Sequence, residues 1–441
     1  MGNISKKYIL HSVQLNSNRA IEPIDLVGIV TDIEIYEHLN MPFLTAKMVF
    51  IDSLRLMDRF DFQGGEYITI AIKPDPESTP IEKTFTIETV LNTTKTNETT
   101  EVVALSLFED ILFKSNFKNV NKAYSGNPID MMNEISQEFL NVNVKAAGDP
   151  VFQKSMKVII PNMDPLKAMS WLKNKTTTGD GAPGYLFSTY GIKDLLYVDL
   201  YTLLTKTPIN IRKPFFYGAS SYSQEDEETS PMYVPIHSYT YENTENMFKL
   251  ISDGYVGAEY QFYDALTGRN PMKHNFNFEK DVVDVLPETD GMTFAFPIDM
   301  MIDEIKLQEA KSQRITQITS AGVYNEGVHK YKSYDEEEDA AAHSKKIIGK
   351  ALKAHMLKAP ITIRVPGQGF LVPNINMTIG NVIRILFSVN RPASGSEPKI
   401  DIKKSGDYVI YAAKHVFSAN RYDIHLTCGK IKNFKSDSWP T

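Results

Sequence analysis

Cysteine is nearly missing from this chain of 441 residues: Cys428 is the single copy, so no intrachain disulfide can form. Such sparing use fits folding in a reducing cytoplasm. No apolar run approaches the ~18–20 residues that a bilayer-crossing helix needs. The opening MGNISKKYIL lacks the long apolar stretch of a secretory signal, and Lys6 stands where a myristoylation pattern needs Ser or Thr. A soluble protein made in the cytoplasm, without membrane insertion, is expected. Positive charge is in deficit as well: 47 Lys and Arg against 54 Asp and Glu leave a formal net charge of −7. That balance argues against a nucleic-acid-binding surface as the main function.

The usual chemical signatures are also missing. The nine histidines are scattered, none in H-x-x-x-H or H-E-x-x-H and none beside a cysteine cluster, so a structural zinc site is not expected. No G-x-S-x-G elbow occurs. A literal G-x-G-x-x-G does occur, at Gly179, Gly181 and Gly184, but a dinucleotide loop must follow a strand and open a helix. This one follows a helical pattern, contains Pro183 and precedes a strand, so it reads as a turn. The acidic run Asp335 to Asp339 lacks the spaced ligands and central glycine of a calcium loop and reads as solvated surface. His415 and His425, on adjacent terminal strands, read as a satisfied, half-buried pair. Cys428 falls at an alternating apolar position, where a small buried hydrophobe is expected. No residue is therefore assigned as catalytic, cofactor-binding or metal-ligating, and no cofactor is expected. A carboxylate pair of the glycosidase kind stays open, because nothing singles one out.

What the chain does contain is strands. Residues 20 to 115 alternate apolar and polar positions, as at Leu44, Ala46, Met48 and Phe50. Gly64-Gly65, Pro74 to Pro80 and Asn92 to Thr100 supply turns. The pattern then changes. Asn127-Pro128 and Asp164-Pro165 are helix starts, followed by apolar stripes at Ile129, Met132, Ile135, Phe139 and at Leu166, Met169, Leu172. A hairpin pattern, GYLFSTYG then KDLLYVDLYTLL, turns at Gly191. Residues 219 to 232 are acidic and loop-like. Ile347, Ile348, Ala351, Leu352, His355 and Met356 share one helical face. The expected division is 1–120 as a first β-barrel, 121–218 as an α+β module, and 219–269 with 358–441 as a second, discontinuous β-barrel. Residues 270–357 form an inserted subdomain ending in a helix, since loops that long are rare in compact domains.

One strand pattern occurs twice, in order. Ala46, Phe50, Asp52 and Leu54 are echoed by Ala258, Phe262, Asp264 and Leu266. Gly65, Ile68 and Ile70 are echoed by Gly380, Ile383 and Ile385. Phe85, Ile87 and Val90 return as Tyr408, Ile410 and Ala413, and Val103, Leu105 and Leu107 as Ile424, Leu426 and Cys428. Two related β-units in one polypeptide let a ring be built from half as many subunits.

These features, taken with the segments NMDPLKAMSWLKNKT, GYLFSTYGIKDLLYVDL, AEYQFYDALTGRNPMK, RVPGQGFLVPNINMTIGNVIRILF and SGDYVIYAAKHVFSANRYDIHLTC, resemble the central baseplate hub protein of T-even-type contractile-tailed phages. More loosely they are similar to the hub region of type VI secretion spike proteins. The resemblance covers most of the chain in segment order. It implies a mainly β fold with α+β parts: two tail-tube-like β-barrels, an α+β module and an inserted subdomain. It also implies a homotrimer whose six barrels present a pseudo-sixfold face to a hexameric tail tube protein and a threefold face to a trimeric tail spike protein. Rings of this kind close by heterologous contacts, barrel one of one chain against barrel two of the next. Wedge proteins and tape-measure protein are further expected partners, and DNA would pass through the channel without specific binding. The implied location is the virion, in the tail baseplate. Three chains of like acidic charge would repel phosphates along the channel.

Two other readings are carried forward. An enzyme of the puncturing apparatus, such as a peptidoglycan hydrolase, would hold an acid pair in the α+β module. A secretion spike would continue into a β-helical needle, whereas this chain ends at Thr441 with no needle-like repeat.

Overall fold

A computed structural model describes residues 8–59, 62, 64–95, 101–148, 156–175, 182–218, 233–241, 247–264, 272–283, 292–294, 301–302, 304–309, 313–319, 324–325, 337–389, 400–418 and 421–434. The principal early strands are β1 (Ile9–Asn16), β2 (Val30–His38), β3 (Thr45–Ile51), β4 (Tyr67–Lys73), β5 (Ile81–Lys95) and β6 (Glu101–Glu109). Helices α1 (Pro128–Leu140) and α2 (Pro165–Lys175) precede the hairpin of β7 (Gly184–Phe187) and β8 (Leu195–Asp199). Then come β9 (Phe215–Tyr217), β10 (Ser238–Tyr241), β11 (Gly257–Asp264), β12 (Met272–Asn277) and β13 (Gln313–Thr319). Helix α3 (Glu337–Met356) leads to β14 (Ile361–Pro366), β15 (Val382–Phe387), β16 (Gly406–Ser418) and β17 (Arg421–Phe434).

The fold is mainly β. A 15-stranded sheet runs β9-β15-β16-β2-β3-β6-β5-β4-β1, with β17, β14 and β10 continuing from the other side of β16. Among the described residues these ladders form open, branched paths and close no ring, so the two expected barrels are not seen as closed barrels.

Two meanders inside this sheet share one register. Ile68 stands opposite Phe85 and Ile70 opposite Lys83; Ile383 stands opposite Tyr408 and Ile385 opposite Gly406. Ile87 pairs with Leu107 and Val90 with Leu105, as Ile410 pairs with Cys428 and Ala413 with Leu426. The register slips between Ile87 and Thr89 in the first meander, and between Ile410 and Ala412 in the second. Such β-bulges bend a strand at a set place. The lead-in matches too: Gly65 N–H donates to Ile87 O and accepts a left-handed φ of +91°, and Gly380 N–H donates to Ile410 O at φ +74°. Only glycine takes that conformation without strain.

The first of the four sequence echoes is corrected by the pairing. Ala258 sits in β11, which pairs with β12 and, in parallel, with β13 in a separate three-stranded sheet. The strand placed on β17 as β3 is placed on β6 is instead β14: Ala46, Met48 and Phe50 face Leu107, Leu105 and Val103, and Ile361, Ile363 and Val365 face Cys428, Leu426 and Ile424. Phe262 and Asp264 belong to β11 by backbone, while their side chains and the whole of Leu266 lie outside the described residues. One step further out, β10 stands on β14 as β2 stands on β3. Between β10 and β14 the chain runs through β11, β12, β13 and α3.

Alternation explains the cores. Ala46, Met48 and Phe50 are buried on one face of β3, and Ile361, Ile363 and Val365 on one face of β14. The α+β module has its own core, with Met132, Ile135, Leu166, Met169 and Leu172 packed on Leu195 and Tyr197. Asn127 caps α1 by accepting from Ile129 N–H at 2.9 Å, with Pro128 in the first turn. Asp164 does the same for α2 through Lys167 N–H at 3.0 Å. Gly184 opens β7 because a Cβ there would lie 2.0 Å from the Tyr197 hydroxyl; it is a strand residue and not part of a phosphate loop. Gly179 and Gly181 lie outside the described residues. On α3, Ile347, Ala351, Leu352 and Met356 are buried in the same cluster as β14 and β17.

Candidate functional site at the seam between the halves

β2 alternates Ile33, Ile35 and Glu37 inward, so its last inward residue is a carboxylate, only 2% exposed. β16 presents Ala413, His415 and Phe417 to the same interior. The two strands pair antiparallel, with Ile35 opposite His415 and Glu37 opposite Ala413. A buried carboxylate is costly unless it is paired and hydrogen-bonded, and Glu37 has both kinds of partner. It accepts from Tyr190 N–H at 2.6 Å, from Thr189 Oγ1 at 3.0 Å, and from the Thr378 hydroxyl. His415 Nε2 lies 3.2 Å from Glu37 Oε1, within ion-pair range but without hydrogen-bond alignment. The other ring nitrogen, Nδ1, is 2.8 Å from the Tyr422 hydroxyl, and the imidazole stacks on Tyr422 and Phe417.

Burial alone would raise the Glu37 pKa, but His415 and the hydrogen bonds from Thr378 and the Tyr190 amide outweigh it and hold it below its ordinary value. Burial pushes the phenols of Tyr190 and Tyr422 up, so both stay neutral hydrogen-bonding groups. Every member of this node is buried. Its segments come from β2, the turn after β7, the approach to β15, and the β16–β17 hairpin. It therefore ties the first half, the α+β module and the second half together. A second tie lies nearby: Lys83 Nζ is 2.7 Å from Glu109 Oε1 and 3.4 Å from Ser188 Oγ, while Glu109 Oε2 accepts from Leu44 N–H.

The outer face of the seam is an open cleft of about 380 Å³ lined by Tyr36, His38, Met41, Lys414, His425 and Thr427 among others. Lys414 spans it, 2.8 Å from Glu34 and over the Tyr36 ring. Partial burial, then Arg364 and Lys414, lower the His425 pKa.

The residues singled out from the sequence fall as follows. Ala46, Phe50, Ile68 and Ile70 lie in the first-half core, and Ile383 and Ile385 in the second. Asp52 is buried and accepts from the N–H groups of Leu56 and Met57 at 2.7 and 2.9 Å, fixing the turn after β3. Leu54 is exposed. His415 and His425 are not a half-buried pair: register puts Ile424 opposite His415 and Lys414 opposite His425, so the two rings point to opposite faces. Cys428 is fully buried between strands, and burial pushes its thiol up. Glu37, Thr189 and Thr378 were not foreseen. The signal for Glu37 was legible, an inward period-two run ending on an acid; the two threonines carried none.

No protein-family model matches the chain, and no curated protein matches its sequence. Solved structures do match. A tail protein from Neisseria meningitidis MC58 superposes with a TM-score of 0.52 at 12% identity, over 96% of this chain and 96% of that one. The 43 kDa tail protein of prophage MuSo2 from Shewanella oneidensis gives 0.52 at 10% identity, over 95% and 98%. A Listeria monocytogenes prophage tail protein, gp18, gives 0.44 at 8% identity, over 94% of each chain. The first two cover both chains nearly end to end, so this chain has the fold of those phage tail proteins.

Proposed function

We propose that the chain is a structural baseplate hub of a contractile phage tail, a trimer that joins a hexameric tail tube to a trimeric spike and forms part of the ejection channel. The observation that carries this reading is the meander present twice, with the same glycine lead-in, cross-strand pairs and bulge position. Two like units per chain give three chains six like positions, which suits a sixfold tube on one side and a threefold spike on the other. The tail-protein fold supports the setting, a virion component assembled in the host cytoplasm. In this reading the tube-like units act by shape and contact, without turnover, and DNA passes without specific binding.

Size-exclusion chromatography with light scattering, on the purified chain with and without a co-expressed spike, tests it. The expected mass is that of three chains. A stable monomer in both arms overturns the proposal. A peptidoglycan zymogram tests the absence of turnover: clearing that is lost on neutralising one carboxylate of the α+β module would replace the structural reading with a hydrolase.

A further inference from the structure

The lysines drawn partly or wholly out of solvent are not equally served. Lys83 holds the Glu109 carboxylate. Lys206 Nζ lies 3.2 Å from Gly380 O and 2.6 Å from Asn381 Oδ1, and Lys430 Nζ lies 3.2 and 2.8 Å from the carbonyls of Ile402 and Lys403. Lys353, on α3, has a single oxygen, Asn40 Oδ1 at 3.0 Å, and its ammonium stands 4.8 Å from the centre of the Tyr185 ring. Among the described residues no carboxylate pairs with it. Its charged neighbour is another cation, Lys173 of α2, which is buried and repels it. Burial first, and Lys173 second, bring the Lys353 pKa down to about 8. An ammonium withdrawn from water without a counter-charge is costly.

The groups around Lys353 are hydrogen-bond donors with protons to give. Tyr185 is fully buried on β7, and its hydroxyl has no hydrogen-bond partner among the described residues. The Tyr411 hydroxyl, close enough to push the Tyr185 phenol further up, accepts from Asn40 Nδ2 and keeps its own proton for another acceptor. His38 packs edge to face on Tyr411 at 4.8 Å. Its Nδ1 accepts from Asn40 N–H at 3.2 Å, which places the proton of the neutral ring on Nε2. Burial and Lys353 lower its pKa and keep that ring neutral. We propose that these residues form a binding site for a small oxyanion, with Lys353 as its counter-charge and Tyr185, Tyr411 and His38 as neutral donors. Asn40 orients the cluster, giving its oxygen to Lys353 and its amide protons to Tyr411. The site lies where the end of β2, the α+β module and α3 meet, so a bound anion would hold all three. Phosphate and carboxylate share the required chemistry.

Calorimetric titration of the full chain at fixed ionic strength, once with inorganic phosphate and once with acetate, tests the site and names the source. Saturable binding of either anion is expected, and the tighter of the two identifies the class. Lys353→Met should weaken it by about tenfold or more, and Tyr185→Phe, which keeps the ring, by roughly threefold. The bound anion favours the charged amine, so acylation of Lys353 at pH 8, read by mass spectrometry, should slow in the unchanged protein. Equal affinity in the unchanged chain and both variants overturns the site. So does an acylation rate that neither anion alters. If Lys353→Met does not fold, Tyr185→Phe and the acylation rate decide.

Discussion

The meander β4-β5-β6 and the meander β15-β16-β17 keep the same cross-strand pairs and the same outer neighbour, β3 on β6 and β14 on β17, yet they finish differently at their other borders. β1 lies antiparallel on β4, while β9 lies parallel on β15. Among the described residues no strand pairs with the distal part of β5 on the side away from β6, while the distal part of β16 is covered by β2 and anchored through His415 to Glu37. What persists is what backbone geometry demands: a left-handed glycine, a bulge, and apolar residues facing one another. What varies is the set of side chains that decide which neighbour each edge accepts. A repeated unit can thus keep one fold while one copy is held inside the chain and the other is free to meet something else.

The largest expected effect breaks that contrast at its anchor. Glu37→Ala leaves His415, Thr189, Thr378 and the Tyr190 amide facing a buried void, and removing one partner of a buried pair costs about 3–5 kcal/mol. In the first half the position matching His415 is Thr93, by its register opposite Val103. It is exposed, and Thr93→Ala is expected to stay within about 0.5 kcal/mol. Denaturant midpoints of the two variants measure the difference. Equal, small losses would mean that the node does not hold the seam.

Acid sharpens the comparison next. His355, on α3, is packed against Phe278 and its Nε2 lies 2.9 Å from Tyr255 O. Burial drives its pKa down to about 4, against a smaller upward pull from the Tyr255 carbonyl. A histidine whose folded pKa is depressed contributes stability that is complete above the unfolded value of roughly 6.5 and is lost as pH falls toward the folded value. Up to about 3 kcal/mol should therefore disappear between pH 6.5 and 4, from the part of the molecule around α3. Glu37 and Asp423, both with lowered pKa, add their losses only at lower pH. Stability measured against pH should show this slope, and His355→Gln, which keeps a donor for Tyr255 O, should flatten it. A slope unchanged in that variant would assign the acid response to other groups.

The two lead-in glycines rank themselves. At Gly65 a Cβ would meet the tip of Phe113 at 3.6 Å, so Gly65→Ala carries mainly the left-handed strain of about 1–2 kcal/mol. At Gly380 it would come within 2.9 Å of Phe187, adding a steric term, so a loss of about 2–3 kcal/mol is expected. Urea titration of both variants checks the order; the reverse order would contradict the packing described for β7.

The sequence revealed the repeat wherever backbone geometry left a letter behind. Gly65 and Gly380 are visible because no other residue fits, and the pairs around the shared bulge are visible as apolar matches. The strand β14 was not, although Ala46 and Ile361 have the same separation of 315 positions as Gly65 and Gly380. ITIRVP matches AKMVFI at no aligned position, because such a strand needs only alternation, and many residues supply it. The AEYQFYDAL segment of β11 offered the letters without the place. Glu37 could be read as an acid on an apolar face, but its hydroxyl partners are brought in by distant turns, and no local pattern encodes such a meeting.

The smallest expected effect concerns Leu91. The first meander has a second register slip, between Val90 and Asn92, that the second meander lacks at the matching place, so Leu91 has no counterpart in β16. It is 52% exposed on a strand segment that, among the described residues, is paired on one side, by β6. Leu91→Ser should change the stability of the unassembled chain by no more than about 0.5 kcal/mol, read from thermal or denaturant unfolding at concentrations too dilute for association. A loss above about 1 kcal/mol, the range of a partly buried leucine, would show that the chain itself packs against the distal part of β5. The difference between a covered β16 and an open β5 edge among the described residues would then be gone.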